Sequence, residues 1–304
     1  MIRTHDRFER SIDIWQALGD YISALEASGR SVHTLKQIER HLSMLGMWLD
    51  AQEIDDDVST ITSSHVHEFA CWDFVRTRPD GKLKKESSLN AVRSSLRSFF
   101  AHLHAAGMIE QNPTRSLRRA IVNSAPPRGL SADEERRLME TLRSEDDTVA
   151  RRDRALFSTM LFGGLRVGAT VRLQVGDVNL ESNELFLRRT KGGRSDYAVM
   201  GKALARELAE YLNHAGLVDG PLFPARHGGE QTTRHVARRL SAWLKKAGIE
   251  RPLSPHSLRH TCACRAYART GDPFVVKEVM RHRSLASTLR YVGVDRDRVR
   301  QALA

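Results

Sequence analysis

"PHSLRHTCACRAYART", residues 255–270, concentrates His256, Arg259, His260, Cys262, Cys264 and Arg265 in one short stretch. It can be read as a metal site, a polar helix of the core, or a clamp for an anion. Ser254 as cap and Pro255 as first helical residue open a helix. That spacing places His256 in the first turn and Arg259 three residues on, on the same face, with His260 near it. Cys262 and Cys264 are two apart, so on a helix they point to roughly opposite sides and cannot chelate one ion together. With no second cysteine pair, no metal is expected, and both cysteines are read as small core residues. A purely structural reading of His256 and Arg259 is poor, because a buried arginine needs a partner. What remains is an imidazole and a guanidinium at a helix N-terminus, a natural anion site.

The whole chain agrees with an anionic partner. At 304 residues it can hold two domains with cores of their own, and its net charge of +11 points to a polyanion, most economically nucleic acid. Three cysteines (Cys71, Cys262, Cys264) make no disulfide framework, which suggests a reducing compartment. The N-terminus "MIRTHDRFERSIDIWQ" has no apolar signal region, and no long uncharged apolar run occurs. The expectation is a cytoplasmic protein without a membrane partner.

Working outward, the first third reads as helices. "IWQALGDYISALEA", "SVHTLKQIERHLSMLGMWLDAQ" with its Ser31 cap, "TSSHVHEFACWDFVR" and "ESSLNAVRSSLRSFFAHLHAAG", stopped by Gly107, carry apolar residues at helical spacing. These make a four-helix bundle over residues 1–112, with the turn "TRPDGKLKK" presenting Lys82, Lys84 and Lys85. Residues 113–128, with paired prolines and Arg115, Arg118 and Arg119, read as a basic interdomain linker. The second domain, 129–304, opens on a capping box, Ser131 with Glu134. "NELFLRRT" and "SDYAVMG" flank "KGGR" as a hairpin, and "VGDVNL" is a candidate third strand. The fold class is mainly α (α+β): a helical bundle plus an α-rich domain with a small antiparallel sheet.

Other residues join the opening stretch. Arg166 follows a Gly-Gly-Leu break, Lys191 sits at the hairpin edge, His282 lies in "VMRHRSLASTLRYVGV", and Tyr291 follows nine residues later. Singly, these read as an exposed arginine, a solvated turn lysine and a packing tyrosine. In the order Arg, Lys, His-x-x-Arg, His, Tyr they resemble the tyrosine recombinase (phage integrase) family. "GGLRVGATVRLQVGDV", "TKGGRSDYAVM", "SPHSLRHTCA" and "MRHRSLASTLRYVGV" are similar to that family's four catalytic segments, and "SLNAVRSSLRSFFAHLHAAGMIEQNPT" to the end of its core-binding bundle. Two positions depart from the pattern: Ala169 stands where an acidic residue is common, and Arg281 where glycine is usual.

The resemblance implies a site-specific recombinase that exchanges DNA strands by two transesterifications. Tyr291 would be the nucleophile, Arg166 and Arg259 the donors to the non-bridging oxygens, and His282 a further donor. His256 would accept or orient the tyrosine proton, and Lys191 would protonate the leaving 5′-oxygen. Lys82, Lys84, Lys85, Arg115, Arg118 and Arg119 would contact phosphates. The partners implied are double-stranded DNA recombination sites held by a homotetramer, with two domains closing as a clamp on the duplex and a short C-terminal segment exchanged between neighbours. No cofactor and no metal are expected, since two arginines and two histidines already surround the phosphate. The rival readings are a non-catalytic DNA-binding regulator, which gives no reason for the lysine hairpin and the near-terminal tyrosine, and a type IB topoisomerase-like enzyme.

Overall fold

A computed structural model describes residues 11–122, 129–188, 195–282 and 284–289. The chain divides into two compact units, Met1–Asn123 and Ser124–Ala304. Lys191 and Tyr291, with the rest of the "KGGR" turn, lie outside the described residues.

The first unit is helical: α1 (Ile14–Ala27), α2 (Val32–Ala51), α3 (Ser63–Cys71), α4 (Asp73–Arg76) and α5 (Glu86–Ala105). Side-chain oxygens of Asp13, Ser31 and Thr62 accept from free amides that open the first three. Asp13 accepts from the N–H groups of Trp15 and Gln16, and Ser31 from that of Thr34. The apolar stripes of α1, α2 and α5 meet in a core holding Ile14, Leu42, Leu45, Leu49, Phe69, Leu96, Phe99 and Phe100. The helix expected over "TSSHVHEFACWDFVR" is broken in two. Trp72 takes an extended backbone (ψ 133°) between α3 and α4, which lets its indole lie against the Phe69 and Phe74 rings, with centroids 6.5 and 5.0 Å away. Residues 113–120, expected in the linker, instead pack on this unit. Leu117 enters the core, and Asn90 exchanges two hydrogen bonds of 2.9 Å with the backbone of Ala120.

The second unit contains α6 (Ala132–Arg143), α7 (Thr148–Leu161), α8 (Val167–Thr170), β1 (Val178–Asn179), β2 (Glu184–Leu187), β3 (Asp196–Val199), α9 (Lys202–Ala215), α10 (Thr233–Lys246), α11 (Pro255–Thr270), α12 (Pro273–Met280) and α13 (Ala286–Leu289). α7 runs through its centre, packed by α6, α9 and α11. Two of its buried charged groups are paired: Asp153 accepts from Trp243 Nε1 at 2.8 Å and Arg239 Nε at 2.7 Å, and Arg154 pairs with Glu207 at 2.8 Å. The Ser131–Glu134 capping box forms, with the Ser131 N–H donating to Glu134 at 2.7 Å. Arg251 also hydrogen-bonds that carboxylate, and chiefly for this reason the Glu134 pKa is held down to about 2.

Among the described residues the sheet has three antiparallel strands in the order β1-β2-β3, with Leu185 opposite Ala198 and Leu187 opposite Asp196. Leu185, Leu187 and Ala198 face the core, while Phe186 and Tyr197 pair on the other face at 5.2 Å. Only the end of "VGDVNL" is strand. Val175–Asp177 form a 3₁₀ turn because the Asp177 carboxylate turns back to accept from the Gln174 N–H at 2.9 Å and from Arg188 Nε at 2.7 Å.

The first unit carries a titratable group in its core. His41 is buried, shares a 2.9 Å hydrogen bond with Ser95, and has its pKa lowered from 6.5 to about 4 by burial, with the charges of Arg40 and Lys84 adding to the effect. The unfolded chain therefore binds a proton at a higher pH than the native state does. The stabilisation is fully present above about pH 6.5 and is lost as pH falls towards 4, on the order of 3 kcal/mol in all. Urea denaturation of His41→Gln, followed by circular dichroism, should show a shallower loss of stability than wild type between pH 6.5 and 4.5. Parallel losses in the two proteins would mean that other groups control acid unfolding.

Candidate active site

The second unit carries a cleft of about 880 Å³ whose lining includes Arg166, His256, Arg259, Arg281 and His282. Four residues singled out from sequence are thus gathered by three separate stretches of chain: the α7–α8 turn, the start of α11, and the turn that ends α12. Leu187 and Asp196, which flank residues 189–194 in the chain, line the same cleft, as does Tyr197.

α11 opens as its sequence suggests, with Pro255 as first helical residue. The Ser254 N–H donates to Ser257 Oγ at 3.2 Å, which satisfies the cap position. His256 in the first turn is exposed, and Arg259 one turn on is 2% exposed. A buried arginine needs partners, and Arg259 finds them in the main chain. Its Nη1 donates to the Gly164 carbonyl and its Nη2 to the Met280 carbonyl, so the guanidinium bridges the chain just before Arg166 to the chain just before His282. Both of these acceptors are uncharged main-chain oxygens, so the guanidinium keeps two separate turns in fixed register.

Arg166 is exposed at the N-cap position of α8, directly after the turn at Gly163 and Gly164. His282 is 8% exposed and lines the cleft, and its Nδ1 shares a 2.9 Å hydrogen bond with the fully buried Thr288 Oγ1. Reading from sequence missed Thr288. The available signal was a hydroxyl residue between His282 and Tyr291, although a threonine in a helical turn rarely stands out. Ala169 also lines the cleft.

The cysteines separate as their spacing requires, but only one is a core residue. Cys262 is buried, with its thiol directed at the Phe162 carbonyl at 3.6 Å and its pKa pushed up by burial. Cys264 is exposed, 3.1 Å from His260 Nδ1. It faces away from the core because the residues of α11 on Cys262's side already fill that space. Among the described residues no group of three or more His, Cys, Asp or Glu side chains is placed to hold a metal ion, and no helix is long and apolar enough to cross a membrane.

In the first unit Lys82 and Lys85 are exposed, as are Arg115, Arg118 and Arg119. Lys84 is committed differently. Its ammonium donates to the carbonyls of Phe74 at 3.2 Å and Val75 at 2.9 Å, closing α4, and partial burial lowers its pKa. Arg115 lines a groove of about 790 Å³ together with Arg97 and His104, two residues that sequence reading passed over because they lie within an amphipathic helix.

The cleft depends on close backbone approach at Gly164. That residue has φ +65°, and a β-carbon there would lie 3.0 Å from Met280 Sδ and 3.2 Å from Cys262 Sγ. Gly164→Ala should cost about 1–3 kcal/mol through strained backbone and crowding. Urea denaturation measures this directly, and unchanged stability would show that the turn is not held as described.

Comparison with known proteins agrees with this arrangement. The profile of the phage integrase family matches residues 128–298, and that of the phage integrase N-terminal SAM-like domain matches residues 18–107. Tyrosine recombinase XerC of Chromobacterium violaceum is 30% identical over 282 residues, spanning 92% of this chain and 90% of that protein. Tyrosine recombinase XerC of Xanthomonas axonopodis pv. citri is 30% identical over 275 residues, spanning 87% of each chain. Among solved structures, a lambda integrase dimer bound to a COC′ core site superposes with a TM-score of 0.72 at 18% identity, covering 93% of this chain and 96% of that one. XerH recombinase bound to its difH substrate in a pre-cleavage complex gives a TM-score of 0.69 at 22% identity, covering 97% and 85%. Profile matches over both units, and curated relatives aligned along nearly the whole length, have one meaning: this chain belongs to the phage integrase family of tyrosine recombinases.

Proposed function

We propose that this enzyme, a tyrosine-type site-specific DNA recombinase, breaks and rejoins DNA in the cleft of its second unit, with Tyr291 as nucleophile. The observation that supports the assignment of roles is the convergence of Arg166, His256, Arg259 and His282 on one cleft. The Tyr291 oxygen attacks the scissile phosphorus and the bond to the 5′-oxygen breaks. A 3′-phosphotyrosine and a 5′-hydroxyl result. The 5′-hydroxyl of the partner strand then attacks the phosphotyrosine and releases the tyrosine. One phosphodiester replaces another of similar energy, so the exchange needs no external energy source.

Negative charge on the non-bridging oxygens grows in the pentacoordinate transition state. Arg166 and Arg259 suit it because a guanidinium stays protonated and offers parallel donors, and loss of one such donor typically costs on the order of a hundredfold in rate. His282, oriented through Thr288, donates to the same oxygens. His256, exposed at the cleft, takes or orients the Tyr291 proton. Lys191 gives a proton to the departing 5′-oxygen. Arg115, Arg118, Arg119, Lys82 and Lys85 contact phosphates of the flanking duplex, and Arg97 and His104 join Arg115 in that role. Lys84, turned onto the carbonyls of α4, shapes this surface more than it adds to it. The chain acts in the cytoplasm as a homotetramer across two recombination sites, with residues 292–304 exchanged between neighbours. The lambda integrase structure, a dimer on one core site, suits a pair of subunits per site.

Tyr291→Phe should form no covalent protein–DNA adduct in a denaturing gel while binding DNA within a few-fold of wild type. An adduct that persists would point to another nucleophile, with Tyr267 the first to test. Thr288→Val keeps the shape but removes the hydroxyl that orients His282. Its cleavage of a suicide substrate should slow about tenfold at saturating DNA, in line with the loss of one orienting hydrogen bond of about 1 kcal/mol. An unaltered rate would remove Thr288 from the machinery.

A further inference from the structure

α12 ends at Arg281 in the left-handed conformation, φ 50° and ψ 51°. Its N–H donates to the Glu278 carbonyl and that of His282 to the Lys277 carbonyl, both at 3.0 Å, so the helix end itself imposes this backbone. Glycine takes such a position without penalty, whereas a residue with a β-carbon is disfavoured by roughly 1 kcal/mol. Strain retained at the wall of a reactive cleft calls for a compensating role.

The side chain supplies one. Arg281 Nη2 donates to the Gly163 carbonyl at 3.1 Å, and the residue lines the cleft beside Arg166 and His282. Gly163 lies three residues before Arg166, and Arg281 immediately precedes His282. Arg259 joins the neighbouring carbonyls, those of Gly164 and Met280. Two guanidiniums therefore tie the same pair of turns, one from α11 below and one from within the second turn. Burial lowers the Arg281 pKa, the Asp196 charge opposes that shift, and the Arg166 charge adds to it.

We infer that Arg281 is a positioning residue for strand cleavage: its bond to Gly163 fixes the separation of Arg166 and His282 across the scissile phosphate. The inference rests on the recombinase reading above. It implies that catalysis and backbone preference oppose one another at this position. Glycine relaxes the turn but releases the tie, while lysine keeps the strain together with a donor able to reach the Gly163 carbonyl.

The test compares Arg281→Gly, Arg281→Lys and Arg166→Ala in the full chain. Each is assayed for DNA affinity, thermal midpoint and the single-turnover rate of covalent adduct formation on a suicide substrate at saturating DNA. Arg281→Gly should bind DNA within twofold of wild type and unfold at the same or a higher temperature, yet cleave about tenfold more slowly. Arg281→Lys should recover most of that rate. The inference is overturned if Arg281→Gly cleaves within twofold of wild type, if its rate loss accompanies a lower thermal midpoint, or if Arg281→Lys is no faster than Arg281→Gly. An Arg166→Ala variant that cleaves normally would defeat the underlying assignment of the cleft. An inactive Arg166→Ala beside an unimpaired Arg281→Gly would defeat only the role given to Arg281.

Discussion

The buried guanidinium of Arg259 organises the catalytic unit. It reaches from α11 to the Gly164 carbonyl, 95 residues earlier in the chain, and to the Met280 carbonyl, 21 residues later. A charge held at 2% exposure is costly unless its donors find acceptors, and here two main-chain oxygens accept from its two terminal nitrogens. Because those oxygens belong to the turns that precede Arg166 and His282, the bonds that make Arg259 tolerable also assemble the cleft. Gly164 permits this only by lacking a β-carbon where Met280 and Cys262 crowd in.

Much of this was legible in the sequence, for identifiable reasons. The long helices and the β2–β3 hairpin carry strong periodicity and turn signals, and Ser131 with Glu134 marks a helix start that the structure contains. The cleft residues were legible through their order and local frames, because a guanidinium or an imidazole between apolar runs needs an explanation. The break at Trp72 was not, since the apolar spacing continues across it and only the stacking of three rings ends the helix. Leu117 was hidden in a stretch whose arginines and prolines dominate its composition, although a single leucine and two bonds to Asn90 suffice to dock it. Main-chain partners are invisible to any reading of side chains, which is why Arg259 resembled a group with no structural role.

The basic character of the chain also changes meaning once partners are known. Arg143, Arg152, Arg154, Arg239, Arg251 and Arg265 all pair with carboxylates inside the second unit, and several of those carboxylates are buried. They serve that unit internally, two of them sharing Asp153 and two sharing Glu207, and the net charge of +11 already includes the opposing carboxylates.

The hydrogen bond between His282 and Thr288 has a consequence for control. Thr288 sits on α13, three residues before Tyr291 in the chain, so this contact fastens α13 to the turn that ends α12. In the proposed mechanism, the aim of the histidine and the delivery of the tyrosine are then coupled through α13.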